Sequence, residues 1–240
     1  MEIIVGEIRS EVLRARVRAS EEAIRIIESV KADIIGVGSG STIKVFIGML
    51  SREFLREKCF ISTSYDTTLA LSSAGARCII TDMPPEEIDI AVDSADEIDR
   101  LGNMLKGGGG ALFREKITLL SAIKRIIIAD EMKLVDKLGR RGLIPVEIAP
   151  YAYNYVRKAL MRMSLELVPR TSEGKLGPLI TDNGNILADI VIKGSIEDPV
   201  RVDSMIRSIE GVITTGIFPY ADYEIVVGML SGEIMRIPKK

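Results

Sequence analysis

Short apolar segments alternate with amphipathic segments over the first half of the chain, and this alternation constrains the fold more than any other feature. Residues 33–38 (DIIGVG) form an apolar run that ends in glycines, and residues 41–56 follow with apolar side chains at helical spacing. An amphipathic helix is predicted before them, from Glu7 to Lys31. The cycle continues with predicted strands at 59–62, 77–81, 88–92 and 126–129 and predicted helices at 66–74 and from the glycines at 107–110 to residue 123. Alternating strands and helices predict a parallel sheet covered by helices.

Beyond Asp130 the pattern changes, because prolines separate shorter elements. Helices are predicted from about Tyr151 and after Pro199, and strands at 164–168 and 186–192, an order that fits a β-α-β-β-α-β unit. Residues 211–237 return to strand-like alternation, and we expect them to rejoin the first sheet. We therefore expect an α/β protein with a Rossmann-like parallel-sheet domain (residues 1–130 plus 206–240) and an inserted, smaller ferredoxin-like α+β domain (residues 131–205).

The charges nearly balance, with 32 Lys and Arg against 34 Asp and Glu and a net charge of −2 at pH 7. Such a chain exerts no overall attraction on nucleic acid or on an anionic membrane, so neither is an expected partner. Charges interrupt the apolar segments, and acidic residues stand near the N-terminus, so neither a spanning helix nor a secretion signal is predicted. We expect a cytoplasmic protein that acts on a small molecule.

Histidine is absent from the sequence. An imidazole base, an imidazole metal ligand and a Ser-His-Asp relay are therefore excluded, and acid–base chemistry falls to Asp, Glu, Lys, Tyr or Cys. The two cysteines, Cys59 and Cys78, are far apart in sequence and form no CxxC pair. We interpret both as small apolar side chains rather than as zinc ligands or a disulfide.

Two hydroxyl-rich clusters follow predicted strands, where open α/β sheets present ligand sites. Residues 36–42 (GVGSGST) combine glycines, hydroxyls and a helix N-terminus, which suits a small phosphate ester; the spacing fits neither a Walker motif nor GxGxxG. A tight turn with a serine cap is the alternative. Residues 62–68 (STSYDTT) are most simply a helix cap, and their position beside the first cluster is the reason to consider them further.

Two further clusters carry charges. Residues 92–99 (VDSADEID) place four acids after an apolar strand, which can hold hydroxyls, bind a metal or move protons, or can form a plain acidic loop. Asp99 is interpreted as the start of a solvent loop. Residues 106–116 (KGGGGALFREK) contain four successive glycines, which favours a close approach of backbone to ligand. Lys106 can stabilise an oxyanion and Glu115 can act as a base, or Glu115 and Lys116 can be a surface pair.

The motifs together resemble ribose-5-phosphate isomerase type A. The resemblance covers nearly the whole chain and rests on GVGSGST at 36–42, VDSADEID at 92–99, KGGGGALFREK at 106–116, IPVEIAP at 144–150, TDNGN at 181–185 and GVITTGIF at 211–218. It implies a cofactor-free interconversion of ribose 5-phosphate and ribulose 5-phosphate in the pentose phosphate pathway. It also implies a two-domain α/β subunit that assembles into a homodimer or homotetramer.

The resemblance assigns roles residue by residue. Glu115 matches the proton acceptor, which takes a proton from C2 and returns it to C1 through an enediolate. Asp93 and Asp96 match the carboxylates that hold hydroxyls and help to open the ring, and Lys106 matches a residue at the reacting end of the sugar. The other matches are substrate-binding positions: Ser39, Gly40, Ser41, Thr42, Ser94, Ala95, Gly107, Gly108, Gly109 and, at the phosphate, Lys133.

Some positions depart from the family pattern. Ser39 stands where threonine is common, and Ser94 stands where glycine is usual. Arg16 or Arg18 stands where a phosphate-contacting lysine is frequent, and neither arginine is included in the predicted site. Three competing classes stay open: a sugar-phosphate sensor, an acyl-CoA transferase relative and a glucosamine-6-phosphate deaminase, although the last would need a histidine. The histidine-free chain also argues against a type B isomerase.

Overall fold

A computed structural model of the protein describes the backbone of residues 2–237 and the side chains of residues 9–237. The chain forms two compact units: the first contains the residues up to Ala95, Arg114–Leu134 and the residues from Asp222, and the second contains Asp96–Phe113 and Val135–Ala221. The structure differs from the predicted boundaries at three places. Residues 96–113 and 206–221 were assigned to the first domain but pack with the second unit, and residues 131–134 pack with the first.

The elements are as follows. The helices are α1 (Glu2–Val30), α2 (Ser41–Met49), α3 (Arg52–Glu57), α4 (Tyr65–Ala74), α5 (Leu112–Ser121), α6 (Tyr153–Arg162) and α7 (Pro199–Arg207). The strands are β1 (Ile34–Val37), β2 (Cys59–Ser62), β3 (Cys78–Ile80), β4 (Ile88–Asp93), β5 (Glu97–Ile98), β6 (Met104–Leu105), β7 (Ala122–Asp130), β8 (Leu143–Ile148), β9 (Glu166–Pro169), β10 (Ile186–Val191), β11 (Val212–Thr215), β12 (Ile217–Phe218), β13 (Glu224–Gly228) and β14 (Ile234–Ile237).

The first unit is built on a seven-stranded sheet with the order β14-β13-β7-β4-β1-β2-β3. All neighbouring pairs are parallel except β13 with β14, which confirms the predicted parallel sheet. β1 pairs with β2 on one side and with β4 on the other, so the strand order changes direction between β1 and β4. The carboxyl ends of strands at such a point are where open α/β sheets bind ligands.

The helices of the first unit follow the sequence pattern with local differences. α1 buries Ala15, Ala19 and Ala23 completely, and these small side chains let the helix lie close to the sheet. The segment predicted as one helix over 41–56 is two helices, because Ser51 caps the second by accepting a hydrogen bond from the Phe54 amide. The helix predicted to reach residue 123 ends at Ser121, and β7 begins at once.

The interpretation of the two cysteines as apolar side chains was wrong. Cys59 and Cys78 form a disulfide between β2 and β3. These two strands are parallel neighbours, and their register places the two residues directly opposite each other. The sequence could not indicate the bond, because a separation of 19 residues says nothing about which strands pair.

The second unit contains the predicted ferredoxin-like arrangement. The elements β8, α6, β9, β10, α7 and β11 follow one another in the chain, and the sheet is antiparallel with the order β11-β8-β10-β9. An apolar core contains Val146, Ile148, Val156, Leu160 and Ile206, all buried. A small sheet of β12, β6 and β5 completes the unit and explains why residues 96–113 and 216–218 belong to it. No helix of the described chain is long and apolar enough to span a membrane.

Candidate active site

Glu115 is the central carboxylate of the first unit. It lies in the first turn of α5, where a negative charge interacts favourably with the helix dipole, and it is only 3% exposed. The hydroxyl of Ser39 donates a hydrogen bond of 2.6 Å to Glu115 Oε1. Ser39 lies two residues after the end of β1, so the loop that follows this strand fixes the orientation of the carboxylate. A buried carboxylate held in one orientation is suited to accept a proton from a bound molecule.

Asp93 lies beside this pair of residues, at the carboxyl end of β4. It is 1% exposed, and its Oδ1 accepts a hydrogen bond of 2.7 Å from the Ser94 amide. A Cβ atom at Gly38 would stand 1.9 Å from Asp93 Oδ1, so only glycine leaves room for this carboxylate. The Ser94 hydroxyl in turn donates to the Ser39 carbonyl, at 3.2 Å. The loops after β1 and β4 therefore hold each other in place.

The first turn of α2 carries backbone amides that can bind an anion. Gly40 stands at the N-cap with φ of +102° and, having no side chain, does not itself cap the first amides of the helix. Thr42 is buried and Ser41 is exposed. The Arg16 guanidinium approaches this turn, donating 3.1 Å from Nη1 to Ser41 Oγ.

The same arginine reaches the segment that carries Lys133. Arg16 Nε donates 2.8 Å to Asp130 Oδ2, and Asp130 is 1% exposed. Asp130 Oδ1 also caps the short 3₁₀ turn Glu131–Lys133 by accepting from the Met132 amide. Hydrogen bonds thus connect the α2 turn, α1 and the Lys133 turn. Arg18, the alternative in the sequence, instead contacts Glu21 and the Gly232 carbonyl.

Lys106 directly precedes the four glycines in the chain and belongs to the second unit. It is 2% exposed, and its ammonium lies 5.4 Å from the centroid of the Phe218 ring, a cation–π distance. Its backbone amide donates 2.9 Å to the Gly216 carbonyl. A lysine placed in this way has a defined position and can stabilise negative charge that develops on a substrate oxygen.

Residues 106–110, which we call the glycine loop, form a tight turn. The Gly110 amide donates 3.1 Å to the Gly107 carbonyl, and Gly107 has φ of +103°, which favours glycine. A Cβ atom at Gly107 would also stand 2.9 Å from the Pro145 Cβ atom. The Gly108 amide donates 2.8 Å to Asp96 Oδ2. Asp96 therefore contacts the glycine loop directly.

The acids of 92–99 separate into different roles. Glu97 is buried and accepts from the amides of Gly139, Arg140 and Arg141, so it holds a loop of the second unit. Asp99 does not begin a solvent loop: it is buried and closes the turn between β5 and β6, accepting from the amide of Asn103 and from its side chain.

The cluster at 62–68 forms a helix cap, as its simplest interpretation predicts. Ser64 accepts from the Thr67 amide at the start of α4. Thr67 adds a link to the first cluster, because its hydroxyl donates 2.7 Å to the Gly38 carbonyl.

The predicted site residues are distributed over both units. The first unit holds Ser39, Gly40, Ser41, Thr42, Asp93, Ser94, Ala95, Glu115 and Lys133, and the second holds Asp96, Lys106, Gly107, Gly108 and Gly109. Arg16 was left out of the predicted site. Its hydrogen bond to Ser41 places it beside the turn that begins α2, and this contact could not be seen in the sequence. In the described part of the chain, no group of three or more Cys, Asp or Glu side chains is arranged to hold a metal ion.

Comparison with known proteins decides the family. The family model of ribose 5-phosphate isomerase A (phosphoriboisomerase A) matches residues 59–232. The ribose-5-phosphate isomerase A of Methanococcus maripaludis strain C6 is 37% identical over 225 residues, covering 92% of each chain. The chain belongs to the ribose-5-phosphate isomerase A family.

Solved structures of the family agree with the fold. The ribose 5-phosphate isomerase A of Methanocaldococcus jannaschii superposes with a TM-score of 0.79 at 34% identity, covering 92% of this chain and 97% of that one. A D-ribose-5-phosphate isomerase in complex with phospho-erythronic acid gives 0.84 at 34% identity, covering 93% and 97%.

Two of the departures from the family pattern, Ser39 and Ser94, are accommodated. Ser39 keeps the hydroxyl that contacts Glu115, and the added hydroxyl of Ser94 is used in a contact with the neighbouring loop. Ser94 is not among the described non-glycine residues with positive φ, so its side chain costs no backbone strain at this position.

Proposed function

We propose that the protein interconverts D-ribose 5-phosphate and D-ribulose 5-phosphate, an aldose–ketose isomerisation of the non-oxidative pentose phosphate pathway. Membership of the ribose-5-phosphate isomerase A family gives the reaction class. The observation that carries the assignment for this chain is the buried Glu115 carboxylate, which the Ser39 hydroxyl holds at 2.6 Å. This is the geometry of a base with a fixed direction of attack.

The chemistry needs one group that carries a proton between adjacent carbons. Glu115 takes the proton from C2 of the open-chain aldose, and the C–H electron pair forms the C1–C2 double bond of an enediolate while the carbonyl π electrons move to O1. The proton of the O2 hydroxyl passes to O1, which leaves the negative charge on O2. Glu115 then returns its proton to C1, where the C1–C2 π electrons form the new C–H bond, and a lone pair of O2 forms the C2 carbonyl. The proton lost at one carbon is gained at the other, so the reaction needs neither redox cofactor nor metal.

Negative charge on the enediolate oxygen requires positive groups at the reacting end. Lys106 supplies a charge with a defined position above Phe218, and the glycine loop supplies backbone amides. Asp93 and Asp96 accept hydrogen bonds from sugar hydroxyls and assist ring opening. Because Asp96 contacts the Gly108 amide, this carboxylate also helps to set the glycine loop.

The phosphate is proposed to bind at the N-terminal turn of α2. The amides that follow Gly40, the hydroxyls of Ser41 and Thr42, and the charges of Arg16 and Lys133 provide the donors. Arg16 is the addition that the structure supports, since it already contacts Ser41. A fixed phosphate orients the other end of a five-carbon sugar for proton transfer.

Two further properties are proposed. The substrate is an ionic sugar phosphate that does not cross membranes unaided, which supports a cytoplasmic location. Exposed apolar side chains in and just after α5, namely Ile117 at 41%, Leu120 at 51% and Ile123 at 66%, support a homo-oligomer, either a homodimer or a homotetramer.

The test is conversion of ribose 5-phosphate to ribulose 5-phosphate by the purified protein in buffer treated with EDTA. The proposal predicts conversion that EDTA does not reduce. A folded protein without activity would contradict it and would favour a sugar-phosphate sensor, whereas binding of coenzyme A would favour a transferase.

A further inference from the structure

The Arg170 side chain contacts backbone carbonyls of the glycine loop. Arg170 follows β9, and its Nη1 donates 2.7 Å to the Gly107 carbonyl and 3.2 Å to the Gly108 carbonyl. No role in the reaction is assigned to this residue by the motifs discussed above. Its contacts are nevertheless with the two carbonyls at the centre of the glycine loop.

Asp189 on β10 holds the guanidinium in place. Arg170 Nε and Nη2 donate to the two carboxylate oxygens of Asp189, both at 2.6 Å, so the pair is bidentate. The two side chains are 19% and 11% exposed. Backbone pairing of β9 with β10 adds a second constraint, because the Arg170 amide donates 3.0 Å to the Leu187 carbonyl. A planar guanidinium in a bidentate pair has one orientation, which a lysine cannot reproduce.

The fixed guanidinium determines how two peptide groups are turned. In a trans peptide the N–H points opposite to the C=O, so the amides of Gly108 and Gly109 point away from Arg170. The Gly108 amide is used by Asp96. Gly109 is exposed, and among the described residues no group accepts its N–H. The positive charge at the carbonyl end also polarises this peptide group, which strengthens its N–H as a donor.

We propose that Arg170, held by Asp189, is a positioning residue that presets the Gly109 amide as a hydrogen-bond donor to the enediolate oxygen. The inference rests on the proposed isomerase function and deepens it. Arg170 itself does not touch the substrate: it acts through the Gly107 and Gly108 carbonyls. Charge develops on the oxygen only as the reaction proceeds, so the contribution belongs to kcat rather than to substrate binding.

The experiment compares Arg170→Lys and Asp189→Asn with the wild type. Arg170→Lys keeps the positive charge but loses the planar guanidinium that pairs with both oxygens of Asp189. We expect its kcat to fall about 10- to 100-fold, with KM within about threefold of the wild-type value. Asp189→Asn keeps the size of the side chain but removes the charge that holds the Arg170 guanidinium. We expect a smaller fall in kcat, of about 3- to 10-fold. The second variant decides the question if Arg170→Lys does not fold.

A binding measurement separates positioning from general damage. In 4-phospho-erythronic acid a carboxylate stands where the enediolate would form, so its dissociation constant should rise about tenfold in Arg170→Lys while the KM for ribose 5-phosphate stays near the wild-type value. Equal weakening of analogue and substrate would overturn the proposal, because it would indicate a purely structural contact. A kcat within twofold of the wild type in both variants would also overturn it.

Lys137→Met is the matched control. Lys137 forms an ion pair with Glu197 in the same unit, at 2.6 Å, and hydrogen bonds from Lys137 and then Ser195 lower the pKa of Glu197. This ion pair is exposed and lies outside the hydrogen bonds described for the glycine loop, so its loss should leave kcat within twofold of the wild type. An inactive wild type would refute the isomerase function itself, whereas an active wild type with unaffected Arg170 and Asp189 variants would refute only the role of Arg170.

Discussion

Gly38 makes room for the Asp93 carboxylate because it has no side chain. Its missing side chain leaves the space that Asp93 occupies at the end of β4, since a Cβ atom would stand 1.9 Å from Asp93 Oδ1. We expect Gly38→Ala to displace this carboxylate, to lower the free energy of unfolding by about 1–3 kcal/mol and to lower kcat/KM at least tenfold. Urea denaturation and steady-state kinetics measure both effects.

Gly48→Ala is the control for that change. Gly48 lies within α2, and a Cβ atom there meets no atom within 4 Å. Alanine should stabilise this helix by about 0.5–1 kcal/mol and leave kcat/KM unchanged. If both alanine variants behaved alike, the close approach of Gly38 and Asp93 would have no functional meaning.

Arg16 is the residue through which the phosphate proposal can be tested most simply. Arg16→Met removes a donor beside Ser41, and a charge-assisted hydrogen bond contributes about 1.5–3 kcal/mol, so KM for ribose 5-phosphate should rise at least about tenfold with a smaller change in kcat. Arg18→Met is the matched variant on the same helix, and its KM should stay at the wild-type value. An unchanged KM in Arg16→Met would remove Arg16 from the phosphate site.

Individual residues were predictable to different degrees. Glu115, Lys106 and the glycines stand in short motifs, so the sequence alone located them. Which arginine of α1 faces Ser41 depends on how the helix is rotated against the sheet, and sequence spacing does not determine that rotation. The contact between Arg170 and the glycine loop joins residues 63 positions apart, and no local motif indicates it.

The disulfide joins two paired strands of the first unit. Cys59 and Cys78 stand opposite each other in β2 and β3, and the bond closes a loop of 19 residues in the unfolded chain. Such a loop corresponds to about 3 kcal/mol of stabilisation in the chain-entropy account. We expect a reducing agent to lower the free energy of unfolding by about this amount, as measured by urea denaturation.

Cys78→Ser provides the control for reduction. It should show the lower stability without reductant and no further change when reductant is added. A wild type whose stability is the same under both conditions would contradict the contribution of the bond. Isomerase activity should survive reduction, because neither cysteine belongs to the predicted site.

Helices and strands were predictable where the hydrophobic periodicity is strong. They were not predictable where the pairing of strands determines the structure. The alternation of apolar segments identified β1, β2, β4, β9 and β10, because burial on a sheet imposes that pattern. Residues 211–237 were expected to rejoin the first sheet, and β13 and β14 do so, but residues 211–218 do not. They contribute β11 and β12 to the second unit instead, since strand-like alternation does not reveal which sheet accepts a strand.

Assembly concerns the whole molecule. Ile117 and Leu120 are three residues apart on α5 and share one exposed face, and burial of such a face between copies would remove apolar surface from water. We expect sedimentation equilibrium to give a multiple of the 26.3 kDa chain mass. Leu120→Glu should lower that mass, whereas Leu176→Glu, at a loop position 98% exposed, should not. A monomeric wild type would contradict the proposed homo-oligomer.

The central claim is that Glu115 carries the proton between C2 and C1, and the most direct test is the turnover of Glu115→Gln. Glutamine keeps the size of the side chain and can still accept from Ser39, but it is not a base. The account predicts a kcat at least about 10³-fold below the wild type, with KM for ribose 5-phosphate within about threefold. A folded variant that turns over at nearly the wild-type rate would contradict it.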